Sequence, residues 1–335
     1  MPNVVRITLT LLCLFGSWIP VQAWVTEEHI LIGEAGYQLA CEGFRDPQVV
    51  RTEAQRGRAQ LFCFQDPALA RHYGELTAYG GDYAAEPEDI PTDFDPMSAQ
   101  LAKLSDWSHI KNLLHRAKLA LKDGTHFQPH AEEQWLHYHQ RALTLAQQAS
   151  TAGDADLGFR RALVVSGFAD HFLQDAFSAG HNGTDRMTTI PSLQKVYHDA
   201  FCCWGRFLAN GLGETWFALG DGGLDKFCNR DGRQRVIAAT AESVRSVLWH
   251  FIVGNGVYKE AQEVLQYLPK RYANQTFKLI PPQYDTELCP KPDFPMVRFR
   301  GRYLKCNDPD FFEVYVNPQL RPATQTSRLF SRFRK

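Results

Sequence analysis

The chain has 335 residues, and its 36 lysines and arginines nearly balance 37 aspartates and glutamates, for a formal net charge of −1 at pH 7. This length is sufficient to bury the core of one large domain. The near-zero charge gives no sign of bulk electrostatic binding to nucleic acid. Beyond the N-terminus no apolar run is long enough to span a bilayer, so we expect a mature protein without a transmembrane segment.

The first residues have the pattern of a secretory signal peptide. A basic start at Arg6 precedes an apolar run from Ile7 to Pro20, and the small-residue end Val21-Gln22-Ala23 follows. This order is typical of a segment that is cleaved during export. We therefore predict that residues 1–23 are removed, that the mature chain begins at Trp24, and that the protein is secreted or periplasmic.

Seven cysteines would remain in the mature chain. Export makes disulfides plausible, although spacing alone does not give their connectivity. We expect local pairs Cys41–Cys63 and Cys289–Cys306, and a third pair that joins Cys228 to either Cys202 or Cys203. Because seven is an odd number, one thiol would be left over.

Most of the mature chain has the apolar periodicity of helices. Glu28–Cys41 carries apolar residues at helical spacing. The same pattern predicts further helices over 99–121, 132–149, 157–177, 192–212 and 233–252. Residues 79–96 are rich in Gly, Asp, Glu and Pro and indicate a long loop, and residues 205–223 are interpreted as a helix that ends in a glycine-rich turn. The predicted fold class is all-α.

The composition changes beyond Leu279. Prolines become frequent, and two short β-favouring runs follow at 296–300 and 312–316. We predict a small C-terminal appendage with β structure over 279–335, ending in a basic, solvated tail. The helical domain would then comprise residues 24–278.

The segment from Ala169 to His181 is the most informative for function. His171 and Asp175 are four residues apart, so a helix places them on one face. An imidazole nitrogen and a carboxylate oxygen that converge in this way are good zinc ligands. Gly180 is predicted to end the helix and let His181 fold back toward them. On this segment alone, a buried hydrogen-bonded His–Asp pair is an equal alternative.

Three other segments offer further ligands. The α-amine and carbonyl of Trp24 can chelate a metal, because an α-amine loses its proton near neutral pH. His29 lies five residues on, at the start of the first helix. His126 lies in a loop before a helix, and His198 is followed by Asp199. Packing alone does not easily explain four such segments.

Together, the tryptophan start, the His-Phe-x-Pro loop at His126 and the His-xxx-Asp-xxxxx-His pattern from His171 to His181 resemble the zinc-dependent phospholipases C of bacteria. More distantly, they resemble the zinc-dependent single-strand nucleases. The resemblance covers about residues 24–202. It implies an all-helical fold with up to three zinc ions, one of them bound by the N-terminal tryptophan.

The resemblance also implies which residues hold the first two zinc ions. His126, His171 and Asp175 would hold the first, together with an aspartate from a preceding loop. The amine and carbonyl of Trp24, His29 and a bridging Asp175 would hold the second. Completion of this site would then depend on removal of the signal peptide.

The loop aspartate and the third zinc site depart from the family pattern. Asp82 is the best candidate for the loop aspartate and for the base that accepts a proton from the attacking water, with Asp106 as the alternative. The third site would use His181 and His198. The family has a carboxylate four residues after the second of these, where this chain has Cys202. The remaining ligand could be the Cys202 thiol, Asp199 or water, and the third metal would be weakly held.

The resemblance implies hydrolysis of a phosphodiester. We expect a monomeric phospholipase C that acts at a phospholipid membrane surface and converts a glycerophospholipid to diacylglycerol and a phosphorylated headgroup. One alternative is a single-strand nuclease that stacks bases on Tyr83, Trp107 or Trp204. The other is a metal-stabilised secreted binding protein without catalytic activity.

Overall fold

The computed structural model describes residues 25–105, 124–182, 198, 201–202, 205–226, 229–254, 261–270, 297–299 and 302–304. The predicted signal peptide and Trp24 lie outside these ranges. So do several other residues singled out in the sequence, namely Asp106, Trp107, Asp199, Cys203, Trp204, Cys228, Cys289 and Cys306. What the sequence predicts for them stays a prediction.

Helices account for most of the described residues. They are α1 (Thr26–Glu42), α2 (Glu53–Ala59, continued by a π-helical turn over Gln60–Gln65), α3 (Ala68–Tyr79), α4 (Phe94–Leu104), α5 (His130–Ala149), α6 (Ala155–Ala176), α7 (Arg230–Ile252) and α8 (Ala261–Leu265). Short 3-10 turns lie at Gly43–Arg45, Pro87–Asp89 and Ala179–His181. The mainly helical fold is as predicted. Among the described helices, none is long and apolar enough to cross a membrane.

A β-hairpin replaces the end of one predicted helix. Strands β1 (Arg206–Ala209) and β2 (Thr215–Ala218) pair antiparallel, with Ala209 opposite Thr215. The helix predicted over 192–212 is therefore wrong at its C-terminal end. Gly205 and Gly213 flank β1 and its turn with φ of 72° and 79°, a left-handed conformation that interrupts a helix.

A second hairpin lies in the predicted C-terminal appendage. Strands β3 (Val297–Phe299) and β4 (Arg302–Leu304) are antiparallel, and Val297 faces Leu304. The first strand falls where the sequence predicts one. Its partner is closer in sequence than the β-favouring run at 312–316, which lies outside the described residues.

Helix α6 is the centre of the helical core. Every residue from Ala162 to Ala176 is buried, and α6 packs against α3, α5 and α7, while α1 packs against α3 and α7. A helix that is covered on all sides carries its polar residues into the interior. His171 and Asp175 are therefore interior residues because they belong to α6.

A buried carboxylate beside His171 ties α6 to its neighbours. Asp170 accepts hydrogen bonds from Tyr73 Oη (2.6 Å), Trp135 Nε1 (3.2 Å) and Ser243 Oγ (2.5 Å). These donors belong to α3, α5 and α7 respectively. Burial raises the pKa of Asp170 to about 7, against the opposing effect of the three hydrogen bonds. These hydrogen bonds fix the rotation of α6 about its own axis at Asp170, the residue directly before His171.

The disulfide predicted between Cys41 and Cys63 is present. Their Cα atoms are 5.2 Å apart, and the bond joins the last turn of α1 to the π-helical turn after α2. The pairings predicted for the other cysteines involve residues outside the described ranges.

Helices α1 and α3 approach closely at a pair of glycines. A Cβ atom on Gly33 would lie 2.8 Å from the Cα of Gly74 and 2.6 Å from Thr77 Oγ1. The same Thr77 hydroxyl donates to the backbone carbonyl of His29 at 2.9 Å. The close approach and this hydrogen bond thus fix the position of His29 along the axis of α3.

We predict that Gly74→Ala lowers the free energy of unfolding by about 1–3 kcal/mol, because its methyl group would overlap the carbonyl oxygen of Ile30. Gly57→Ala is the matched control. No atom lies within 4 Å of a Cβ built at Gly57 in α2, so this change should raise stability by about 0.5–1 kcal/mol through helix propensity. Urea unfolding monitored by circular dichroism measures both. Equal stability of G74A and wild type would contradict the close packing.

Candidate metal centre

Four histidines surround the buried carboxylate of Asp175. His126 Nδ1 lies 2.5 Å from Oδ2, and His171 Nε2 and His181 Nδ1 lie 3.4 and 3.6 Å from the same oxygen. His29 Nε2 lies 3.4 Å from Oδ1. The structure therefore brings together five of the residues that the sequence singled out as metal ligands.

Helix α6 and the turn after it place three of these residues. His171 and Asp175 lie one turn apart near the C-terminal end of α6, as their spacing predicts. The helix ends at Ala176, and the 3-10 turn Ala179–His181 returns His181 to the carboxylate. Gly180 lies within that turn and does not itself end the helix, which corrects the sequence prediction.

The loop before α5 is attached to this turn in both directions. His181 Nδ1 donates to the backbone carbonyl of His126 at 2.6 Å, and Gln128 N donates to the carbonyl of His181 at 3.1 Å. The ring of Phe127 stacks on that of His181, with 4.2 Å between centroids. Phe127 and Gln128 had not been assigned roles from the sequence.

The hydrogen bonds of three imidazoles determine where their lone pairs lie. Nδ1 of His29 donates to Gln174 Oε1 (2.7 Å), and Nδ1 of His171 donates to a backbone carbonyl of α3 (2.9 Å). His181 Nδ1 donates to the His126 carbonyl, as described above. Since these acceptors are oxygens without protons, each Nδ1 carries the hydrogen and each Nε2 is left with a lone pair. This is the arrangement of metal-binding histidines.

The protonation states follow from burial and from neighbouring charge. Burial is the main cause that lowers the pKa of His29 to about 4, and it takes the pKa of His181 well below its ordinary value. Both imidazoles are therefore neutral at pH 7. Burial opposes ionisation of Asp175, but the nearby His171 and His181 and the hydrogen bond from His126 hold its pKa well below its ordinary value. The ionised carboxylate of Asp175 thus lies beside two imidazoles, those of His29 and His181, that burial keeps neutral.

The separations between these atoms suit a shared metal ion. Two ligands bound to one zinc ion by bonds of about 2.0–2.1 Å lie about 3.3 Å apart at the tetrahedral angle. The observed distances are 3.4 Å from His29 Nε2 to Asp175 Oδ1 and 3.1 Å from His171 Nε2 to His126 Nδ1. Within the described part of the chain, His29 Nε2, His181 Nε2 and Asp175 Oδ1 make no hydrogen bond. The donor set therefore fits a divalent cation.

Asp82 lies on the less buried side of the same cluster. Its carboxylate and the imidazoles of His29 and His171 offer ligand atoms within 4.8 Å of one another. The preceding Gly81 has φ of 64°, and a Cβ there would lie 2.6 Å from His171 Nε2. A glycine is thus required for the chain to pass so close to the imidazole, and the Gly-Gly pair before Asp82 was a sequence signal that could have indicated this contact.

His198 belongs to a separate group of possible ligands. Its ring lies 5.1 Å from that of His181, measured between centroids. The atoms that His198, Cys202 and Asp221 offer lie within 4.8 Å of one another, and all three residues are buried. Asp221 follows β2 and was not predicted as a site residue.

Comparison of the chain with protein-family models, with curated proteins and with solved structures gives no significant match.

We predict that zinc raises the melting temperature of the metal-free protein and that a chelator reverses this effect. At a free zinc concentration 100 times the dissociation constant, the gain is about 2.7 kcal/mol. Asp175→Asn should abolish most of this response. Without metal it should leave stability unchanged or higher, because an amide in place of Oδ1 can donate to His29 Nε2. Differential scanning calorimetry with and without EDTA measures both effects.

Asp95→Asn is the matched control, because the side chain of Asp95 is 95 % exposed. This variant should respond to zinc as the wild type does. A zinc-induced shift of the same size in D175N and wild type would show that Asp175 is not a ligand.

Proposed function

We propose that the protein is a zinc-dependent phosphodiester hydrolase that acts as a phospholipase C on glycerophospholipids such as phosphatidylcholine. The observation that carries the proposal is the buried carboxylate of Asp175 with a ring nitrogen of each of four histidines within 3.6 Å of its oxygens. Such a group suits divalent cations held close together, up to three in the resemblance described above. Clustered zinc ions are well suited to the hydrolysis of phosphate esters.

The donor residues divide into two roles. His29, His126, His171 and Asp175 would hold the ions, which when bound orient the phosphate, neutralise its charge and activate water. Asp82 is partly exposed and close to the imidazoles of His29 and His171. Its carboxylate can accept a proton from water and pass it to solvent.

Differences in burial indicate from which side a substrate would arrive. His171 and Asp175 are each 1 % exposed, whereas His126 is 9 % exposed and Asp82 is only partly buried. Phosphate at the cluster would therefore approach past Asp82 and His126. In a phospholipid the phosphate lies at the membrane surface, and approach from this more exposed side would suit a headgroup presented there.

The nuclease alternative receives less support from the described residues. Tyr83, one candidate for stacking on a base, is 3 % exposed, and its hydroxyl lies 2.8 Å from Thr26 Oγ1. A buried tyrosine held in this way does not offer a free face for stacking. The other two candidates, Trp107 and Trp204, lie outside the described ranges. The formal charge of −1 also favours a substrate other than a polyanion.

We predict that the zinc-loaded, processed protein releases phosphorylcholine from phosphatidylcholine vesicles and that EDTA stops the reaction. His171→Ala should lower this activity by at least about a hundred-fold through loss of a metal ligand. His137→Ala is the matched control, because His137 is an exposed histidine of α5 and its loss should leave activity unchanged. Headgroup release and zinc content are measured on the same samples.

Cleavage of single-stranded RNA but not of the phospholipid would contradict the proposed lipid substrate. It would still support a phosphodiesterase activity. Absence of activity on both substrates, with zinc bound, would favour a metal-stabilised binding protein. Full activity of H171A would contradict a catalytic role for the cluster.

A further inference from the structure

The buried group formed by His198, Cys202 and Asp221 offers a different set of ligand atoms from the cluster around Asp175. His198 and Cys202 are four residues apart, and Asp221 comes from the turn after β2. Their side chains are 0, 0 and 3 % exposed. An imidazole, a thiol and a carboxylate, three kinds of zinc ligand, thus meet in the interior.

The distance between two of these atoms fits a shared metal ion. Cys202 Sγ lies 3.5 Å from His198 Nε2. A sulfur at about 2.3 Å and a nitrogen at about 2.0–2.1 Å from one zinc ion are about 3.5 Å apart at the tetrahedral angle. A thiol that donates to the imidazole would give a similar distance, so the test below distinguishes the two.

His181 supplies an independent indication of a bound cation. It is 1 % exposed, its Nδ1 is occupied by the His126 carbonyl, and its Nε2 makes no hydrogen bond among the described residues. Its ring is adjacent to that of His198. A buried nitrogen lone pair without a donor therefore lies beside the His198 group.

Two glycines bring the backbone close to the thiol. A Cβ on Gly180 would lie 2.8 Å from His198 Cδ2, and one on Gly220 would lie 2.9 Å from Cys202 Cβ. Gly180 directly precedes His181, and Gly220 directly precedes Asp221. In both places the absence of a side chain allows the backbone itself to pass close to Cys202.

We propose that Cys202 and Asp221 complete the third metal site with His181 and His198, and that zinc is bound there through a thiolate. The family resemblance implies the two histidines as ligands; the thiolate and the carboxylate after β2 are specific to this chain. On binding, zinc replaces the thiol proton, which is released to solvent. Because thiolate is a strong zinc ligand, this ion should be held firmly, in contrast to the weakly held third metal expected from the sequence. The proposal concerns metal binding at the site of the proposed function and does not depend on its substrate.

Cobalt(II) added to the metal-free, processed chain tests the thiolate directly, because cobalt–thiolate bonds give a charge-transfer absorption in the near ultraviolet. We expect this band in wild type and in Asp175→Asn, and its loss in Cys202→Ser. Asp221→Asn should keep the band and weaken cobalt affinity by more than about ten-fold. Cys202→Asp, checked for folding by circular dichroism, should bind cobalt without the band.

Absence of the band in cobalt-saturated wild type would overturn the proposal, as would its persistence in C202S, which would assign the band to another cysteine. A Cys202 that is found in a disulfide by mass spectrometry of the unreduced protein would overturn it as well. None of these outcomes depends on hydrolytic activity, so loss of the proposed function and loss of this site are distinguishable.

Discussion

The ionised carboxylate of Asp175 lies in the protein interior beside four imidazoles, three of which donate their Nδ1 protons to other oxygens. A buried charge costs several kcal/mol unless it is paired, and the hydrogen bond from His126 addresses only one of its two oxygens. The other oxygen faces His29 Nε2 at 3.4 Å, and both atoms are acceptors. His29 and Asp175 could hold a divalent cation between these two atoms, which would relieve this unfavourable contact. This arrangement depends on the positions of α1, of α6 and of the loop before α5, because these elements carry His29, Asp175 and His126.

The surrounding helices fix the donors before any ion is bound. Hydrogen bonds from three helices to Asp170 hold α6 next to His171. Glu28 performs a similar role at the start of α1, where its carboxylate accepts from the backbone N–H groups of Val25, Gly222 and Leu224. Burial raises the pKa of Glu28 to about 6, against the opposing effect of these bonds. One side chain thus connects the beginning of α1, near His29, with the turn that carries Asp221.

The sequence was sufficient to predict contacts between residues that are close together in the chain. The spacing of His171, Asp175 and His181 reflects the period of a helix and a short return of the chain, and the Cys41–Cys63 pair is also close in sequence. The grouping of His29 and His126 with Asp175 was implied only by the resemblance, because these contacts span 146 and 49 positions that no periodicity encodes.

The parts that the sequence did not reveal depend on contacts between distant elements. Gln174 and the α3 carbonyl that orient His29 and His171 are ordinary in sequence, since their role exists only after α1, α3 and α6 pack together. Asp221 was interpreted as part of a structural turn, because the β-hairpin that brings it to Cys202 was predicted as a helix. The close contact between Gly33 and Gly74 likewise becomes visible only when α1 and α3 are packed side by side.

The presence of a cation at Asp175 is tested most directly by a crystal structure of the zinc-loaded protein with anomalous diffraction data collected at the zinc absorption edge. We predict an anomalous peak about 2.0–2.2 Å from both His29 Nε2 and an oxygen of Asp175, with the imidazoles in the orientations described above. An ordered water molecule or a direct hydrogen bond in that space, with no anomalous scatterer within bonding distance of Asp175, would contradict the assignment.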